Sequence, residues 1–252
     1  MALFRIVLLL VALAPFHAYA EESLTIAVAS NFQATAQEIA TEFTRETGIP
    51  VRLSGGSTGK LYAQIVNGAP YDIFLAADIT RPKLLEDNGV AVSGSRMTYA
   101  IGSLVLWSAD KSLTGDNCRA ALENGTYKHL AIANPMIAPY GAAAREFLQS
   151  AGLLHDASTR MVYGENISQT LLFVVTGNAT LGLVAASQVK GELPLSASCS
   201  WSVPRSTHSA LDQQAVILTR TGNAESAQRF MRFLQTPQTA GILGSRGYTV
   251  PE

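Results

Sequence analysis

Short apolar runs alternate with segments of helical spacing along almost the whole chain, and this alternation most limits the possible folds. The run LTIAVA at 24–29, for example, precedes a segment at 31–47 whose Ala, Ile and Phe residues recur at helical spacing. Strands are predicted at 24–29, 51–54, 71–76, 99–107, 129–133, 160–163, 181–185 and 213–219, with an extended stretch around Trp201. Helices are predicted at 31–47, 60–67, 81–88, 116–123, 141–151, 167–176 and 224–234. This pattern is typical of α/β proteins with mostly parallel sheets.

The first twenty residues have the pattern of a cleavable export signal. Arg5 supplies a positive charge, residues 6–15 (IVLLLVALAP) a short apolar segment, and AYA at 18–20 a small-residue cleavage site. The apolar segment has about half of the roughly 20 residues that span a bilayer, so an uncleaved membrane anchor is the weaker alternative. We therefore expect an exported protein from which the signal peptide, residues 1–20, is removed.

The strands are too many for one doubly wound sheet of this length, and two βαβ sets follow each other. We therefore predict two lobes, each a mostly parallel sheet flanked by helices, with residues 21–101 and 205–252 in the first and 102–204 in the second. The last strand and helix are assigned to the first lobe because the second set already has enough strands. The chain would cross near Gly102 and near Pro204, and these crossings would form a hinge over a cleft.

Composition excludes several classes of protein. The 18 Lys and Arg residues against 19 Asp and Glu give a net charge of −1, so no basic surface for nucleic acid is expected. Two cysteines are too few for a disulfide scaffold. In an oxidising compartment Cys118 and Cys199 are expected to form one disulfide, with two buried thiols as the alternative. No His or carboxylate cluster has metal-ligand spacing, so neither a metal nor a cofactor is predicted.

Four junctions between a strand and a helix are candidates for a ligand site. They are Ser30-Asn31 after LTIAVA, Ser57-Thr58 after VRLSGG, Pro139-Tyr140-Gly141 after AIANPMIA, and Asn166-Ile167-Ser168 after MVYGE. In open α/β sheets, ligands bind outside the carboxyl ends of strands, where helices begin with unpaired N–H groups and a positive dipole end. Helix capping alone explains any one of these junctions. Four of them facing one cleft predict an anion site.

The charges near these junctions narrow the class of anion. Apart from Lys60, no Lys or Arg lies in them, so a dianion would be held by dipoles and hydrogen-bond donors. Acidic acceptors are also scarce, with Glu165 as the exception. A protonated oxyanion needs an acceptor for its O–H group, whereas a fully ionised one needs only donors. The junctions therefore favour sulfate-, molybdate- or tungstate-like tetrahedra over phosphate.

Six segments resemble the periplasmic molybdate-binding proteins of ABC importers. In order they are AVASNF, GGSTGKLYAQI, APYDIFLAAD, NPMIAPYGAAA, ENISQTLLFV and GYTVPE, and the most specific motifs are NPxxAPYG and STGKLYAQI. The resemblance covers most of the chain after the leader. It implies the two-lobed fold of type II periplasmic binding proteins, molybdate or tungstate as the ligand, a periplasmic location and an ABC permease of the inner membrane as the partner. We expect a monomer.

The resemblance also implies which residues contact the ligand: Ser30, Asn31, Ser57, Thr58, Tyr140 and Ile167. The register leaves open whether Ser57 or Thr58 is the main contact, and Ile167 would act through its backbone N–H group. Some members of the family use a tyrosine where this chain has Ala185. Tyr140 would substitute for that missing contact.

Other functions remain as alternatives. The sequence GGSTG matches the nucleophile-elbow pattern G-x-S-x-G, so an exported serine hydrolase would use Ser57, with His208 as the available base. Such short matches arise by chance in Gly- and Ser-rich loops, and this one lies on the second strand, too early for that fold. The ligand could also be another oxyanion, such as sulfate or chromate, and a ligand-sensing domain of a regulator is disfavoured by the export signal. We predict a solute-binding protein that is not an enzyme.

Overall fold

The structure is a computed structural model that describes residues 23–115, 117–191 and 199–251. The predicted signal peptide, residues 1–20, and Asp116 at the start of a predicted helix lie outside the described residues. Strands occur at Leu24–Ala29 (β1), Val51–Gly56 (β2), Ile73–Leu75 (β3), Met97–Ile101 (β4), Leu104–Ser108 (β5), Leu130–Ala133 (β6), Met161–Gly164 (β7), Leu181–Ala185 (β8), Cys199–Ser202 (β9) and Asp212–Ile217 (β10).

Helices and short turns connect these strands. The α-helices are Gln33–Thr47 (α1), Thr58–Val66 (α2), Thr80–Asp87 (α3), Asn117–Glu123 (α4), Pro139–Ser150 (α5), Leu154–Ser158 (α6), Ile167–Val175 (α7), Ala186–Gly191 (α8), Ala224–Phe233 (α9) and Pro237–Ser245 (α10). Two 3-10 turns lie at Ser30–Phe32 and Arg205–Thr207. None of the described helices is both long and apolar enough to cross a membrane.

The strands form two five-stranded sheets of identical layout. The first has the order β2-β1-β3-β10-β4 and the second the order β7-β6-β8-β5-β9. In each sheet four strands point the same way and only the fourth in order, β10 or β5, is antiparallel to its neighbours. The predicted class, two α/β lobes with mostly parallel sheets, is therefore confirmed. We call the unit around each sheet the first and the second lobe.

The antiparallel strand of each sheet is the one that enters it from the other lobe. Strand β5 follows β4 through Gly102 and Ser103, and β10 follows β9 through residues 203–211. Arg205 in the second connection donates to the Ser103 hydroxyl of the first at 3.3 Å, so the two connections lie side by side. The lobe boundaries predicted at 101/102 and 204/205 fall within these connections and stay a prediction.

One predicted strand, 99–107, is wrong as a single element. The chain forms β4 in the first sheet and β5 in the second, with Gly102 between them. A Cβ atom at Gly102 would overlap the hydroxyl of Tyr140 and lie 2.8 Å from Nε2 of Gln213. The apolar run TYAIGSLVLW continues through this point because Tyr99 and Ala100 of β4 and all of β5 are buried, and only the glycine marks the crossing.

Each lobe has its own apolar core. In the first, Phe43 of α1 packs edge-on against Phe230 of α9, with ring centroids 5.1 Å apart. In the second, Phe147 of α5 packs against Trp201 at 5.7 Å. The structure joins Cys118 to Cys199 in a disulfide, which ties α4 to β9 across 81 positions of sequence. The helices and strands of each lobe are thus packed around a core of their own.

Candidate functional site

A small cavity lies between the two lobes at the carboxyl ends of their strands. Its lining consists of Ala29, Ser30, Asn31, Gly56, Ser57, Thr58 and Ala77 from the first lobe and Ala138, Pro139, Tyr140 and Ile167 from the second. All six residues predicted as ligand contacts are in this lining, and all six are buried. The structure therefore brings the four predicted junctions together at one place.

The first junction follows directly from the end of β1. Ser30 opens a 3-10 turn, and Ala29 at its N-cap supplies no side chain to cap it. The side-chain nitrogen of Asn31 donates to Oε1 of Gln213 at 2.9 Å and to the Tyr248 hydroxyl at 3.2 Å. Because both amide hydrogens are thus used inside the first lobe, Asn31 can donate to a ligand only through its main-chain N–H group.

The second junction contains a buried hydroxyl that the fold does not use. Ser57 occupies the N-cap position of α2, yet its side chain makes no capping hydrogen bond. It is 3% exposed, and its Oγ has no hydrogen-bond partner among the described residues. The hydroxyl of Thr58, in contrast, accepts a hydrogen bond from the Ala77 N–H group at 3.2 Å. The Ser57 hydroxyl is thus left wholly unsatisfied, whereas the Thr58 oxygen has one partner and keeps its hydrogen to donate.

The second lobe contributes two helix N-termini. Helix α5 begins at Pro139 without a side-chain cap, so the N–H group of Tyr140 lies in the uncapped first turn. Gly141 lets the start of α5 pack closely against the end of β6, because a Cβ atom there would overlap the carbonyl oxygen of Ala133. In α7 the side chain of Asn166 caps the N–H group of Gln169 and leaves that of Ile167, the first residue of the helix.

The cavity offers donors without a formal positive charge. No Lys, Arg, Asp or Glu is in its lining. Lys60 is half exposed and forms an ion pair with Glu165 of the other lobe at 2.6 Å. The positive ends of α2, α5 and α7 therefore supply the favourable potential for an anion.

The Tyr140 hydroxyl lies in a buried polar network beneath the cavity. Burial, and to a lesser extent the neighbouring Tyr248, raises the pKa of Tyr140 well above its usual value, so the phenol stays protonated. Its oxygen accepts a hydrogen bond from Nε2 of Gln213 at 3.4 Å. Oε1 of Gln213 in turn accepts from the Tyr99 hydroxyl at 3.1 Å. The network thus connects β4 and β10 of the first lobe to α5 of the second.

Sequence reasoning missed this network. Gln213 was predicted only as a strand residue, although it joins partners that lie up to 182 positions away in the sequence. Tyr248 lies in the segment GYTVPE, which resembled the family without an assigned role. The structure gives it one, because the Tyr248 hydroxyl donates to the main-chain oxygen of Asn31 at 2.8 Å.

The geometry gives no support to a hydrolase that uses Ser57. No histidine is in the cavity lining, and His208 is bonded through Nδ1 to the main-chain oxygen of Ser209. A serine nucleophile needs a base within hydrogen-bond reach, and Ser57 has none in the described part of the chain. The described residues also contain no cluster of His, Cys, Asp or Glu that could hold a metal ion.

Comparison with known proteins gives a consistent result. The family model of the bacterial extracellular solute-binding protein matches residues 24–249. The molybdate-binding protein ModA of Azotobacter vinelandii is 45% identical over 223 residues, which are 88% of each chain. ModA of Rhodobacter capsulatus is 42% identical over 88% of this chain and 86% of its own. The solved periplasmic molybdate-binding protein of Azotobacter vinelandii superposes with a TM-score of 0.86 at 38% identity, covering 91% of this chain and 100% of that one.

Proposed function

Because this chain belongs to the bacterial extracellular solute-binding proteins and, among them, to the family of the molybdate-binding proteins, we propose that it captures molybdate or tungstate in the cavity between its lobes. The resemblance drawn from its sequence motifs is confirmed. The observation that carries the proposal is the Ser57 hydroxyl, which is buried without a partner among the described residues and lies where four helix or turn N-termini meet.

The proposed ligand contacts come from both lobes. Ser30 and Ser57 would donate through their hydroxyls, and Asn31 through its main-chain N–H group. Tyr140 and Ile167 would donate through the N–H groups at the starts of α5 and α7. Each hydrogen bond to a charged group contributes roughly 1.5–3 kcal/mol, so several well-aligned donors can offset the desolvation of a dianion.

The same arrangement explains how binding would close the protein. An anion that contacts helix N-termini of both lobes has more partners in the closed state than in the open state, so it shifts the equilibrium toward closure. Gly102 and residues 203–211 would serve as the hinge. We propose that the closed form acts in the periplasm as a monomer and delivers its ligand to an ABC permease in the inner membrane.

Calorimetric titration with molybdate, tungstate, sulfate, phosphate and chromate tests the function. We expect tight binding of molybdate and tungstate with one site per chain. Phosphate is expected to bind much more weakly, because at neutral pH it carries a proton and the cavity lining has no carboxylate to accept it. Binding of sulfate or chromate above molybdate would select the other oxyanion, and no response to any of the five would refute the proposal.

A further inference from the structure

The two lobes also contact each other directly, through hydrogen bonds between their own residues. The hydrogen bonds run from Ser168 Oγ to Ser30 O, from Ser187 Oγ to Asn31 O, from Gly59 N to Ile137 O, from Arg81 Nη2 to Met136 O, from Lys60 Nζ to Glu165 Oε1 and from Gln213 Nε2 to the Tyr140 hydroxyl. The first two differ from the others because both end on the turn that supplies Ser30 and Asn31 to the cavity.

Each of these two main-chain oxygens is held from both lobes. The oxygen of Asn31 accepts from the Tyr248 hydroxyl of its own lobe at 2.8 Å and from Ser187 of the other at 3.2 Å. The oxygen of Ser30 accepts from the N–H group of Gln33 in the same turn and from Ser168 of the other lobe at 3.2 Å. The bonds within the first lobe need no closure, whereas the two serine bonds exist only when the lobes meet.

The hydroxyl of Ser168 is itself oriented by a neighbour. Gln188, which is fully buried, donates from Nε2 to Oγ of Ser168 at 2.8 Å. This bond occupies a lone pair of the hydroxyl and leaves its single hydrogen for the Ser30 oxygen.

We propose that Ser168 and Ser187 form a closure clamp, a pair of positioning residues that hold the Ser30–Asn31 turn from the second lobe without touching the ligand. The clamp rests on the proposed function, because it stabilises the same closed state that the oxyanion selects. It adds affinity through closure alone. Its contribution is therefore the same for every anion that the cavity accepts.

The test compares wild type with Ser168→Ala, Ser187→Ala and the double variant by calorimetry with molybdate and with tungstate. The loss of one neutral hydrogen bond of this kind is expected to weaken binding about two- to tenfold, and the double variant by about the product. The ratio of the two dissociation constants should not change. Ser158→Ala is the matched control, since its hydroxyl donates to the main-chain oxygen of His155 within the second lobe and its loss should leave affinity unchanged.

Thermal unfolding separates a clamp from a merely structural role. We expect the ligand-free protein to be mainly open, so the unfolding temperature of the ligand-free variants should equal that of wild type, while the stabilisation by added molybdate falls. Ser168→Thr, which keeps the hydroxyl, should restore affinity. Wild-type affinity in the double variant, or an equal fall in stability with and without ligand, would overturn the clamp while wild type still binds. A wild-type protein that binds no oxyanion would overturn the proposed function and the clamp together.

Discussion

Replacing Ser57 by alanine is the sharpest test of the cavity because the structure separates its effect on folding from its effect on binding. The hydroxyl makes no capping bond and has no partner among the described residues. Its removal therefore breaks no hydrogen bond of the fold described above. We expect the free energy of unfolding of the ligand-free protein to change by less than about 0.5 kcal/mol.

Affinity for molybdate should fall strongly in the same variant. A hydroxyl that donates to an anion contributes roughly 1.5–3 kcal/mol, which corresponds to a dissociation constant raised about 10- to 150-fold. Ligand at a thousand times the wild-type dissociation constant stabilises wild type by about 4 kcal/mol. A variant that binds a hundredfold more weakly would gain only about 1.4 kcal/mol under the same conditions. Calorimetry and thermal unfolding with and without molybdate measure both quantities.

Thr58→Val is the control variant, in which stability is expected to fall and not affinity. It leaves the Ala77 N–H group without the acceptor it has at Thr58, so the ligand-free protein should lose about 1–3 kcal/mol of stability. Its main-chain N–H group remains available to the ligand. Two results would refute the assignment of Ser57 as the hydroxyl that contacts the ligand. One is wild-type affinity for molybdate in Ser57→Ala, and the other is a loss of affinity without a loss of stability in Thr58→Val.

Four further measurements probe the surroundings of the cavity. Gly102→Ala should disturb the closed state by about 1–3 kcal/mol, because the added carbon overlaps the Tyr140 hydroxyl; calorimetry should show weaker binding and X-ray scattering incomplete closure. Cys118→Ser with Cys199→Ser should lower the free energy of unfolding by up to about 4–5 kcal/mol, measured by urea titration. Lys60→Met should change molybdate affinity less than about threefold, because the ion pair of Lys60 is half exposed. A tenfold loss would contradict a site that binds the anion without a positively charged side chain. Burial keeps the pKa of Tyr140 above that of the unfolded chain, so the contribution of this phenol to stability should be constant below about pH 10 and be lost above it; Tyr140→Phe should reduce the fall in stability between pH 9 and pH 11 in urea titrations.

The sequence predicted those helices and strands whose apolar pattern can be recognised within the segment itself. Strand β8 was predicted at its observed bounds because LGLVA is buried on both faces and ends where α8 begins. Helix α10 was missed, although Thr236 caps it and Pro237 opens it, because its two glycines weaken the helical pattern. The sheet that each strand joins depends on non-local pairing, so the run 99–107 gave no indication that it divides between two lobes.

The candidate site was also predictable only where its residues lie in local sequence patterns. Its four junctions could be found because each is a local sequence of strand end and helix start. The residues that support the site could not be found from the sequence, because Gln213 and Tyr248 contact Asn31 across 182 and 217 positions. Ser57 and Thr58 could not be ranked from sequence either, because both are ordinary helix-start residues and only the bond to Ala77 distinguishes them.

The identical layout of the two sheets has a consequence for binding strength. In each lobe the proposed donors follow the two adjacent parallel strands at one side of the sheet, β1 and β2 in the first and β6 and β7 in the second. Neither lobe alone surrounds an anion, so each half-site leaves a dianion largely in water. We therefore expect most of the interaction free energy to arise only on closure, when the second set of helix N-termini replaces water. Affinity in such a protein depends on every residue that stabilises the closed state, including residues that never contact the ligand.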